Sequence, residues 1–170
     1  MKKNLFIPLV MLVLFGFASC SSSGEDEDLS LGNYAMKVTI NGEVYEMNNA
    51  LGTKKASNSI NTNYPNDKFI YLQGTLLPKE VNMWINKEHL VAGKTIEINR
   101  ESVDNDTYIK YIDLLDDDLQ VTVSGSITIT LVDNDKKVVK GTFELDVENY
   151  DSPGVIAHRL RDGSFAYTFE

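Results

Sequence analysis

A single cysteine, Cys20, in a chain of 170 residues leaves no partner for an internal disulfide. The fold must therefore hold together through its core alone. Two histidines, His89 and His158, are too few for a zinc site unless carboxylates complete it. Positive charge is also scarce: 16 Lys and Arg stand against 25 Asp and Glu, a net of −9. Lys54-Lys55 and Lys136-Lys137 are isolated pairs and form no basic patch. That argues against nucleic acid and anionic lipid headgroups as partners, and the acidity serves solubility. One long apolar run exists, residues 5–17, and it falls short of the roughly 20 residues of a membrane span. Beyond it, no helical stripe persists over a window of about 11 residues.

What is present begins with the order of the first 20 residues. Lys2-Lys3 precede the apolar run, and Phe17-Ala18-Ser19-Cys20 ends it. The arrangement resembles a bacterial lipoprotein signal peptide with its lipobox, with Phe17 standing where Leu is usual. The resemblance implies cleavage before Cys20 and lipidation of Cys20, with palmitate among its acyl chains. An uncleaved anchor, or a signal cut near Ala18, is the alternative. One acyl chain anchors only reversibly, and lipoproteins of this type carry two or three. The mature chain would then hold 14 Lys and Arg (16 less Lys2 and Lys3) against 25 Asp and Glu, a net of −11.

Residues 21–30 are small, polar and acidic, and such a segment reads as a disordered tether. Glu25-Asp26-Glu27-Asp28 is similar to the short acidic export signal that follows the lipidated cysteine in lipoproteins of Bacteroidota. That resemblance implies the outer membrane, with the domain at the cell surface; the periplasmic face is the alternative. The chain thus divides into a signal peptide, residues 1–19; a lipidated cysteine and tether, residues 20–30; and one domain, residues 31–170.

That domain reads as strands joined by polar turns. Ile127, Ile129 and Leu131 alternate with polar residues, and Asp133-Asn134-Asp135-Lys136 is a run of turn formers. Val139, Gly141, Phe143, Leu145 and Val147 then share one face, so residues 126–148 predict a long hairpin. Gly141 predicts a bulge or a close backbone approach. Asn41-Gly42 predicts a type I′ turn between two opening strands. Asp162-Gly163 predicts a second hairpin turn, with Phe165, Tyr167 and Phe169 on one face of the final strand. Residues 68–77 and 80–86 predict strands on either side of Pro78. Residues 95–98 and 107–114 predict two more. Residues 48–65 read mostly as loop, and residues 87–92 as one helical turn. The sum is an all-β, two-layer antiparallel sandwich of about nine or ten strands, with a partly open barrel as the alternative.

Ile40-Asn41-Gly42-Glu43-Val44-Tyr45, then Gly125, Ile127 and Ile129 with Gly141-Thr142-Phe143, and finally Asp162-Gly163-Ser164-Phe165 resemble motifs of small Bacteroidota lipoproteins with an all-β domain of unknown function. These motifs are turn and strand chemistry, and the resemblance brings no catalytic residues.

Few constellations point to chemistry. Asp113, Asp116, Asp117 and Asp118 form the densest acidic run, with Asp104-Asn105-Asp106 and Asp133-Asn134-Asp135 nearby in sequence. Calcium takes six to eight oxygens, but the calcium-loop pattern is missing and solvated turns explain these residues better. No Gly-x-Ser-x-Gly elbow occurs, and Ser124-Gly125-Ser126 lies on a strand approach. Asn105-Asp106-Thr107 is a formal glycosylation sequon without meaning in a bacterial lipoprotein. Trp84 points away from Val81, Met83 and Ile85, beside Asn82 and Asn86. It is either a stacking platform for a glycan or a second-layer packing residue, and packing is the more common fate. The sequence therefore predicts a non-catalytic envelope module without metal or cofactor. It is held at the membrane by lipid on Cys20 and binds a glycan or a protein partner. The alternative is a structural component of a surface complex.

Overall fold

A computed structural model describes residues 32–100, 106–116 and 118–170. Nine strands are assigned among them, in two antiparallel sheets. The larger sheet has the order β2-β1-β9-β8-β7-β5 and the smaller β3-β4-β6. The two sheets are separate and neither closes into a barrel, so the sandwich reading holds.

The chain opens with the hairpin β1 (Met36–Ile40) and β2 (Glu43–Met47). Asn41 and Gly42 take φ of 50° and 91°, the left-handed pair a type I′ turn requires. β3 (Phe69–Leu76) and β4 (Lys79–Asn86) form a second hairpin, and β6 (Tyr108–Asp113) pairs with β4. A single 3₁₀ turn, Lys87–His89, leads to β5 (Thr95–Asn99). β7 (Gln120–Asp133) and β8 (Val138–Asn149) make the predicted long hairpin, extended at both ends. Its turn is tied by Asp133, whose carboxylate accepts the N–H groups of Asp135 and Lys136 at 3.0 and 2.8 Å.

Gly141 has the close approach its type suggests. A Cβ there would run into the Phe165 ring and lie 2.5 Å from the Thr128 carbonyl oxygen. A bulge lies opposite, between Ile129 and Leu131. It corrects one expectation: Ile127 and Ile129 are buried, but past the bulge Val132, not Leu131, packs on the core.

The second predicted hairpin turn is also corrected. Asp162-Gly163 lies inside one continuous strand, β9 (Ile156–Thr168). β8 and β1 bond to opposite edges of β9, so the chain cannot reverse there. Leu145 faces Leu160 and Phe143 faces Gly163, which puts one extra β9 residue into the ladder. Asp162 takes φ of 52°, and the conformational freedom that marks Asp-Gly as a turn serves a bulge equally well.

Alternate residues of both sheets meet in one core. Met36, Val38, Ile127, Phe143, Leu145, Phe165 and Tyr167 come from the larger sheet, and Leu72, Val81, Met83, Ile85, Ile109 and Tyr111 from the smaller. Each such side chain contributes about 1.5–3 kcal/mol on burial. The layers also touch at their margins. The Thr122 hydroxyl donates to the Ile109 carbonyl at 2.8 Å, and Asn48 bridges Thr75.

Candidate functional site

Trp84 occupies β4, where Val81, Met83 and Ile85 turn into the main core. It therefore points to the outer face of the smaller sheet, as the alternation requires. That face is covered. Register places Tyr71, Trp84 and Tyr108 side by side across three strands. Residues 57–66 fold over the row. Tyr64 stacks on Trp84 with centroids 5.1 Å apart, and the indole N–H donates to Ser59 Oγ at 2.9 Å. Phe69 meets Tyr64 edge-on at 5.2 Å. Trp84 is only 9% exposed, so it is a packed residue of a second small core and not an open stacking platform. Beneath it the Tyr71 hydroxyl donates to the buried Asn82 at 2.6 Å, and burial pushes Tyr71 up to about 12.

Beside this small core lies a groove of about 500 Å³. It runs between residues 49–58, the start of β3, and Phe169 and Glu170. Two asparagines hold its walls. The buried Asn49 accepts the N–H groups of Leu51 and Thr53 at 3.0 and 2.8 Å and donates to Thr53 Oγ1 and the Lys55 carbonyl. Asn66 exchanges two bonds with the backbone of Ser59, at 2.7 and 3.2 Å. Their amides are committed to the loop. What faces the groove for chemistry is Ser57, Asn58, Lys55, Lys87 and the ring of Phe169. Lys55 pairs with Glu170 at 2.5 Å, and Lys87 donates to the Asn66 carbonyl at 2.7 Å. Hydroxyl, amide, ammonium and aromatic faces together suit a polar, hydrogen-bonding small molecule.

The acidic run is drawn into structure elsewhere. Asp113 forms an ion pair with Lys79, both largely buried, and Lys79 also reaches Tyr111 Oη at 3.2 Å. The Lys79 ammonium lies 5.7 Å from the Tyr45 ring centre and 5.9 Å from that of Tyr111. Burial alone would raise Asp113, but the hydrogen bonds from Lys79 and the Leu115 N–H outweigh it and hold the carboxyl below its ordinary value. Asp116 accepts the Asp118 N–H at 3.1 Å, which with neighbouring His158 keeps it low despite burial. Asp118 accepts from Asn149 at 3.2 Å. His158 lies against the Tyr111 ring at 4.8 Å, with Nε2 3.6 Å from Asp116. His89 is engaged separately, with Nδ1 2.9 Å from Thr107 Oγ1. Among the described residues no three His, Cys, Asp or Glu side chains gather as a metal-binding set.

Cys20 and Glu25, Asp26, Glu27 and Asp28 lie outside the described residues, as do Asp104, Asn105 and Asp117. The sequence reading missed Tyr64, Ser59 and the groove. Residues 48–65 carry only an Asn-, Ser- and Thr-rich loop signal; its Asn49, and Asn66 just beyond it, turn out to be the staples. No family model matches the chain, and neither a curated protein nor a solved structure matches it.

Proposed function

We propose that this chain is a lipid-anchored cell-envelope lipoprotein of the small Bacteroidota type, whose β-sandwich is a non-catalytic binding module at the outer membrane or cell surface. The groove beside Phe69 and Phe169 carries the reading: its two lysines, Ser57 and Asn58 offer several hydrogen-bonding groups within one concavity. A glycan is the ligand class these groups suit, with ring faces against Phe169 and hydroxyls toward Asn58 and Ser57. The Lys2-Lys3 start, the apolar run and Cys20 support the anchor, and Glu25 to Asp28 support export to the surface.

Two measurements test it. Metabolic labelling with palmitate should mark the wild-type chain and not Cys20→Ala; an unlabelled wild type rejects the anchor. A glycan array probed with residues 21–170 should show saccharide binding that Asn58→Ala with Lys87→Ala abolishes. Silence across the array, or signal indifferent to that double variant, rejects the groove. The assembly reading has its own support, a rim of outward-facing apolar side chains on a different surface.

A further inference from the structure

Among the described residues, six of the eleven exposed large apolar side chains belong to the β3–β4 turn, residues 114–119, or the β8–β9 turn. Leu77, Leu114, Leu115, Leu119, Tyr150 and Val155 are 70, 57, 81, 57, 66 and 61% exposed. Backbone bonds join the three segments. Leu114 N–H donates to the Pro78 carbonyl at 2.9 Å, and Tyr150 N–H to the Leu119 carbonyl at 2.8 Å. The central segment is also pinned through its acids: Leu115 N–H donates to Asp113 at 3.2 Å, and Asn149 donates to Asp118. The leucines are thus held outward by structure that is already formed, which lowers the ordering cost of any contact they make.

The net charge around them is negative. Lys79 pairs with Asp113 and Arg100 with Glu148, which leaves Asp116, Asp118 and Asp151 as the excess. The rim also lies at a defined end of the larger sheet. The chain enters at Gly32, whose carbonyl Lys54 bonds, and β1 carries it to Asn41. Asn41 bonds Ala157 and Arg159, immediately after the β8–β9 turn. The β8–β9 turn is therefore at the end of β1 opposite Gly32.

We propose that this rim is a docking surface for a protein partner whose contact face combines apolar side chains with Lys or Arg. It deepens the assembly reading above, and its orientation away from the membrane rests on the anchor at Cys20. Clustered apolar tips mark an interaction site, and the surrounding carboxylates select a basic counterpart while repelling anionic headgroups and a second acidic copy.

The test places a photo-reactive phenylalanine analogue at Leu115 of the full chain in the cells that make it, with Leu51 as the exposed control. The expected result is a discrete product from the Leu115 probe alone. Its contact peptide, sequenced by mass spectrometry, should carry Lys or Arg beside apolar residues. Asp151→Lys or Leu119→Ser should reduce its yield at least fivefold while melting temperature stays within about 2 °C, as expected of exposed positions. A product containing a second copy of this chain, one containing only lipid, a contact peptide without basic residues, or no product at all would overturn the proposal. Palmitate labelling reads the anchor separately, so a cross-link to an unlabelled chain keeps the surface and removes the anchor.

Discussion

Replacing Trp84 by alanine removes the largest side chain of the small core and should be read first as a stability experiment. Its indole is 9% exposed, stacked by Tyr64 at 5.1 Å and Tyr71 at 5.2 Å, and bonded to Ser59. Truncating a buried aromatic in this way costs about 3–5 kcal/mol, transfer and cavity terms together. Unfolding entropy of about 2.1 cal/mol/K per residue, over the roughly 140 residues from Gly32 to Glu170, gives about 0.3 kcal/mol per degree. The melting temperature should therefore fall by about 10–17 °C. Circular dichroism measures it for both proteins, and the lone tryptophan reports wild-type unfolding independently. Trp84→Phe separates the causes, since it keeps much of the apolar area and loses the indole donor, for a smaller loss of about 1–2 kcal/mol. A Trp84→Ala protein that melts within about 2 °C of wild type would refute the packing account and reopen Trp84 as an exposed platform.

Gly141→Ala should destabilise by about 1–3 kcal/mol or more, because the new methyl meets the Phe165 ring and the Thr128 backbone. Gly74→Ala is the milder control, since its methyl meets the flexible Met36 thioether at 2.6 Å; equal denaturant midpoints for the two would contradict this. Asp113→Asn leaves Lys79 largely buried without its counter-charge and should cost on the order of 3 kcal/mol at neutral pH. Because the folded Asp113 carboxyl is held low, its contribution is present above the unfolded value near 3.8 and fades as pH falls through the folded one. The wild-type advantage in urea midpoint should therefore shrink on acidification, and an advantage independent of pH would rule the pair out as its source. At the alkaline end, burial raises Tyr71 and Tyr111 to about 12 and Tyr167 further still, so the stability they contribute is intact below pH 10 and is lost as pH rises beyond it. The tyrosinate absorbance of these three should appear only with unfolding; ionisation of all tyrosines in a still-folded protein would contradict their burial.

Strand identity was legible where one face is buried and the other is not. Val139 to Val147 alternate, and every second residue is in the core. The Asn41-Gly42 turn was legible because its chemistry is local: both residues must take positive φ. Asp162-Gly163 carried the same local signal and misled, because positive φ is common to a turn and a bulge. Only the strands on either side of β9 decide between them. Trp84 was placed on the correct face, but its cover could not be foreseen. Tyr64 and Ser59 come from a loop 20 and more residues away, and no periodicity links them to β4.

The sequence by itself determined the all-β character, most strand positions and the residues of each inner face, because these follow from a period of two and from turn residues with special backbone freedom. It also supplies the entire basis for the proposed anchor, since Cys20 and residues 21–30 lie outside the described residues. The tertiary structure alone decided the strand order, the bulges, the sealing of Trp84, the groove held by Asn49 and Asn66, and the gathering of the exposed leucines at one end. Each of these depends on segments distant in the chain meeting across strand ladders or loop closures. Those contacts are set by the free energy of the whole packing and leave no local pattern in the residues that make them.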